Sequence, residues 1–206
     1  MRLRPLPVLL VVPLACSSSA PAAQGDIRDA AVEASLDSGA DTVAGSALLA
    51  PTGDAAQSGP VDGISCETSE QLLFHIHAHL AVYVDGHPKL IPAGVGIGPP
   101  LDFDDTGFVV GGSCFSWLHT HDESGVIHIE SPVQRTYTLG NFFDVWGQPL
   151  SATQVGPAKG AVTAYVDGEP FTSDPTTIPL DAQSVIQLDV GTPLVAPQSF
   201  TFPAGL

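Results

Sequence analysis

Positive charge is scarce in this chain of 206 residues: 6 Lys and Arg stand against 22 Asp and Glu, a formal net charge of −16. Phosphate backbones are held by clustered Lys and Arg, so nucleic acid is excluded as a partner. Acidic membrane surfaces attract basic segments and are excluded on the same ground. Methionine occurs once, as Met1, which leaves no thioether set for Cu(I). No long stretch carries a helical apolar period, and no internal apolar run is long enough to span a bilayer. What remains is a series of short alternating apolar runs cut by 21 Gly and 19 Pro, the pattern of an all-β chain.

Histidine is the exception to this economy. Six of the 7 histidines fall in two places. Phe74-His75-Ile76-His77-Ala78-His79-Leu80 is the first. Trp117-Leu118-His119-Thr120-His121-Asp122, followed by Ile127-His128-Ile129-Glu130, is the second. Strand residues two apart share a face. The spacing therefore predicts a strand with His75, His77 and His79 on one side and Phe74, Ile76, Ala78 and Leu80 facing a core. Asp122-Glu123-Ser124-Gly125 reads as a tight turn. If Asp122 faces Gly125, His119 stands opposite His128, with His121, Trp117 and Glu130 on the same face. Opposed side chains are close enough to share an ion, and a slip of one residue would send His128 to the far face.

Imidazole ligates while neutral at physiological pH and suits Zn(II) and Cu(II). The expectation is one or two such ions held by His75, His77, His79, His119, His121 and His128. Glu130, Asp122 and Glu123 are the candidates for supporting carboxylates or a general base.

Three cysteines are present: Cys16, Cys66 and Cys114. Cys66 precedes the first histidine run and Cys114 the second, and a disulfide between them would tie the two stretches together. The other reading makes Cys114 a ligand: with His119 and an upstream histidine it resembles the cysteine and two histidines of the cupredoxins. That leaves Cys66 alone and finds no axial methionine.

The N-terminus has a secretory layout: Met1-Arg2-Leu3-Arg4 is basic, and Leu6 to Ala15 is apolar. Pro13-Leu14-Ala15-Cys16 resembles the lipobox of bacterial lipoproteins, with Pro13 where that family usually has leucine. The resemblance implies a lipid on Cys16 and a protein exported to the periplasm or cell surface, touching a membrane only through that lipid. Cleavage after Ala20-Pro21-Ala22 is the simple-secretion alternative. Residues 17–60 are rich in Ala, Ser, Gly and Asp and lack aromatics, the composition of a disordered linker. The division expected is 1–16 signal peptide, 17–60 linker and 61–206 a histidine-rich domain. That domain should be a single β-sandwich or barrel-like unit of short antiparallel strands with at most one short helix, at Asn141–Gly147.

A second resemblance covers seven residues. His75-Ile76-His77-Ala78-His79-Leu80-Ala81 resembles the histidine triad motif of nucleotide hydrolases and transferases, which would make His77 a nucleophile. The early position of the motif, in a β-rich chain with few cations for phosphate, sets it aside. Three functions stay open. One is an exported metal-binding protein that buffers or delivers copper or zinc. Another is a secreted metalloenzyme, a zinc hydrolase or lyase or a copper redox enzyme, with an open coordination position. The last is a metal-free surface β-sandwich. No protein partner is indicated by the residues.

Overall fold

The computed structural model describes residues 46–53 and 59–206. The signal segment, Cys16 and most of the linker lie outside these. Among the described residues the chain is all-β with one α-helix, α1 (Leu139–Trp146).

Seven strands form the main sheet: β1 (Phe74–Val84), β2 (His87–Lys89), β3 (Leu118–His119), β4 (Val126–Ser131), β5 (Val162–Val166), β6 (Glu169–Phe171) and β7 (Val185–Val190). Their order is β6-β5-β7-β1-β4-β3, with β2 on the far half of β1. The long strand β1 organises the sheet. Its first half, Phe74–His79, pairs antiparallel with β4, and its second half pairs parallel with β7. Short ribbons outside the sheet complete the fold, among them Asp102–Phe103 with Val109–Gly111.

Two hairpins are near copies. Tyr83-Val84-Asp85-Gly86-His87-Pro88 and Tyr165-Val166-Asp167-Gly168-Glu169-Pro170 pair in the same register, Tyr83 with Pro88 and Tyr165 with Pro170. Both turns place Asp and Gly at positive φ, 50° and 79° in one, 52° and 83° in the other. This is the primed two-residue turn that matches strand twist and that Asp-Gly favours.

The sheet has two unlike faces, as the alternation requires. Ala78, Leu80 and Val82 of β1, Ile127 and Ile129 of β4, and Ile186 and Leu188 of β7 enter one apolar core. Leu139, Phe142, Phe143, Val145 and Trp146 of α1 join it. The helix starts at Thr138, whose side chain and Asn141 cap one another's backbone, and stops at Gly147. Those aromatics fill core rather than line a binding surface.

Part of the segment read as linker belongs to the domain. Leu49 and Ala50 are buried in the core, Leu49 donates its N–H to the Leu90 carbonyl, and the Trp146 indole donates to the Pro51 carbonyl. Composition concealed this because the segment has no aromatics, yet the burial of Leu49 and Ala50 and the backbone bridge of Leu48 to Leu90 anchor it.

The opposite face is polar and carries the histidines. Residues 191–206 cross part of it without regular structure. Gln187 and Asp189 of β7 fasten them: Gln187 donates to the Val195 carbonyl and accepts from the Gln198 N–H, and Asp189 accepts from the Val195 N–H.

Cys66 and Cys114 form a disulfide, which excludes Cys114 as a thiolate ligand. It closes a loop that holds β1 at one end and leads into β3 at the other. The chain-entropy account gives such a loop on the order of 4 kcal/mol. The paired Cys66→Ser, Cys114→Ser variant should therefore lose about 3–4 kcal/mol of unfolding free energy in urea. A loss under about 1 kcal/mol would show that the bridge does not restrain the unfolded chain as its loop length requires.

Candidate metal centre

The centre is assembled on β4, paired along both edges. Against β1, His128 stands opposite His77 and Glu130 opposite His75. Against β3, His128 stands opposite His119. The register read from the Asp122–Gly125 turn is the one observed. One central strand thus supplies His128 and Glu130, and each flanking element supplies a histidine pair spaced i, i+2.

Backbone packing behind β3 fixes its position. Gly96, at φ 72°, lies so close that an added Cβ would be 2.3 Å from the Leu118 carbonyl oxygen. Thr120 accepts from the Val95 N–H and donates to the Pro92 carbonyl, which holds the chain between the two histidines.

His119 and His121 are oriented by main-chain carbonyls. Nδ1 of His119 donates to the Ser116 carbonyl at 2.8 Å, and Nδ1 of His121 donates to the Val109 carbonyl at 2.5 Å. A carbonyl only accepts, so each Nδ1 carries the proton. Each neutral ring then has a bare lone pair on Nε2. These two Nε2 atoms face each other at 3.0 Å. No hydrogen lies between them in the neutral state, so they repel unless a cation stands against both. Phe108 stacks flat on His121, with ring centroids 4.6 Å apart, and fixes the ring plane.

A second pair mirrors the first. Nε2 of His75 and Nε2 of His77 are also 3.0 Å apart. Glu130 lies between the pairs: Oε1 is 3.2 Å from His75 Nε2, and Oε2 is 3.9 Å from His119 Nε2. Oε1 also accepts from His128 Nδ1 at 3.2 Å. Oε2 is buried without a hydrogen-bond partner. Two ligand groups result, His75, His77, His128 and Glu130, and His119, His121, His128 and Glu130, each with its ligand atoms within 4.8 Å of one another. These His and Glu side chains, buried except for His75, could hold a metal ion.

Burial sets the protonation. His119, 0% exposed, is pushed down to about 3, first by burial and then by the neighbouring His121 and His128. His77 is pushed down to about 4, again chiefly by burial. His121 is lowered by burial, although its Val109 hydrogen bond opposes this. Burial pushes Glu130 upward, but the His128 hydrogen bond and the surrounding histidines outweigh it and hold the carboxyl below its ordinary range. At neutral pH His77, His119 and His121 are therefore neutral imidazoles and Glu130 is an ionised carboxylate, the forms that ligate.

Three sequence candidates stand apart from these groups. His79 shares the face of His75 and His77 but lies farther along β1, opposite Val126. Its Nε2 donates to the Ser124 carbonyl at 3.0 Å, and its ring stacks on Phe200 at 3.7 Å. Asp122 caps its own turn, accepting from the Ser124 N–H. Glu123 is exposed within that turn. Glu70 is the residue that sequence reasoning missed: its Oε1 is 3.4 Å from His121 Nε2. It comes from the loop before β1, where an isolated acid carries no periodic signal. Burial and the Glu130 charge raise its carboxyl above the ordinary value. Comparison with protein-family models, curated proteins and solved structures found no match to this chain.

The depressed histidines make metal-free stability depend on pH. Their folded values lie below 6.5, so between the two values the unfolded chain binds more protons. Their contribution is complete above 6.5 and is lost as pH falls toward about 4 for His77 and about 3 for His119. The thermal midpoint of chelator-treated protein should fall continuously from about pH 6.5 to about pH 4. A flat midpoint across that interval would contradict burial of neutral imidazoles.

Proposed function

We propose that this chain is an exported metal-binding lipoprotein that captures, buffers or delivers copper(II) or zinc(II). The observation that supports it most is the pair His119 and His121, with protonated Nδ1 atoms committed to backbone carbonyls and Nε2 lone pairs opposed at 3.0 Å. Metal-ligating histidines are oriented in this way by outer hydrogen bonds. Nitrogens 3.0 Å apart fit adjacent positions on one ion, because about 2.0–2.1 Å to each subtends an angle of about 95°. The imidazole-rich donor set favours copper(II) or zinc(II). Export and the lipid on Cys16 rest on the basic start, apolar run and Leu14-Ala15-Cys16 of the sequence.

A metalloenzyme is the second reading, and one observation favours it. The His75 side chain is 39% exposed, beside a cavity of about 320 Å³ lined in part by His75, His77, Gln183 and Leu206. An ion ligated there would keep a position open to water or substrate, as catalytic zinc does.

Elemental analysis of the full chain purified from an oxidising compartment tests the proposal. Wild type and His79→Ala should carry copper or zinc, and the His119→Ala, His121→Ala double variant should lose at least half of it. Equal metal in the double variant and wild type, or none in any of them after exposure to both ions, overturns the assignment.

A further inference from the structure

We propose that the centre is built for two metal ions bridged by the Glu130 carboxylate, one enclosed and one open to solvent. This rests on the metal-binding reading above and goes beyond it to nuclearity and to an asymmetry between the ions.

The first observation is the pairing of donors. Each histidine pair brings two Nε2 atoms to 3.0 Å, so each is a complete two-point grip on one ion. The pairs sit on opposite sides of β4, and no ligand group within a 4.8 Å span contains both. Donors on opposite sides of a single ion are at most about 4.2 Å apart at ordinary metal–nitrogen distances. One ion therefore does not take both pairs as they stand.

The second observation is the position of Glu130. Its two oxygens are divided between the pairs, Oε1 toward His75 and Oε2 toward His119. Oε2 is buried with no donor to satisfy it, which is costly for a carboxylate oxygen. A cation on the His119 side supplies the missing partner. Carboxylates in two-metal sites hold their ions about 3.5–4 Å apart. His128, central on the same strand, belongs to both groups and can complete either.

The third observation separates the two ions. On the β3 side, His119, His121 and Glu130 are buried, and Glu70 closes toward His121. On the β1 side, His75 is exposed at the mouth of the cavity. The enclosed ion is held for structure or affinity, and the open ion exchanges ligands. The open ion would take a small anionic or lone-pair donor, water included, in its vacant position.

Titration of the metal-free full chain with copper(II), followed by gel filtration, elemental analysis and electron paramagnetic resonance, tests this. A His87→Ala background removes the exposed turn imidazole. The expected result is two retained copper ions whose spins couple, so that the signal of isolated copper(II) is largely absent at saturation. The His75→Ala, His77→Ala variant should retain one ion and give the full isolated signal. Glu130→Gln should restore the isolated signal wherever copper is retained, and the coupled wild-type spectrum stands as evidence even if that variant does not fold. One retained ion in wild type, lost in the His119→Ala, His121→Ala variant, overturns the two-ion inference and leaves metal binding intact. Two uncoupled ions overturn the bridge. No retained copper, with zinc absent by the same procedure, overturns both.

Discussion

The register of β4 against its two neighbours governs everything else in this protein. His128 is opposite His77 on one side and His119 on the other, so three imidazoles from three strands meet at one level of the sheet. A shift by one residue on either edge would turn His128 and Glu130 into the core and bring Ile127 and Ile129 out. The apolar face thus enforces the polar one. Ile127 and Ile129 are fully buried in the core that α1 joins, and that burial positions residues whose own desolvation is unfavourable.

The unfavourable part is concentrated and specific. Burying imidazoles favours their neutral form, and burying a carboxylate calls for donors or a cation. Here the carbonyls of Ser116 and Val109 accept hydrogen bonds from the Nδ1–H groups and turn the remaining lone pairs inward. A metal-free β-sandwich gains nothing from opposed lone pairs and an unpartnered buried oxygen. A metal ion would turn both into ligation, which is what these groups could do and a passive polar face would not need.

Much of this was legible in the sequence because it depended on short-range rules. The turn at Asp122–Gly125 and the alternation around it gave the opposition of His119 and His128. The segment at Asn141–Gly147 gave the helix and its stop, and the places of Cys66 and Cys114 ahead of the two histidine runs gave the disulfide. What was not legible depended on position along a strand or on distant chain. Three histidines sharing a face looked equivalent, but each i, i+2 step advances about 6.6–6.8 Å, so His75 and His79 lie too far apart for one ion. His79 instead meets Ser124 and Phe200, and Phe200 arrives from a segment with no strand pattern. Glu70 and the core role of Leu49 were hidden for the same reason. Parallel pairing of β1 with β7 joins residues about a hundred positions apart, and no local pattern announces such a partner.

The central claim is that His119 and His121 present Nε2 to a cation while Nδ1 stays bound to the backbone. Long-range proton–nitrogen correlation spectra of the imidazoles, taken on the full chain without metal and with zinc(II), test it most directly. Nδ1–H is expected on both rings in both states, with the two Nε2 resonances moving when zinc is added. A proton on Nε2 of either ring in the zinc-treated protein, or a spectrum that zinc leaves unchanged, would contradict it.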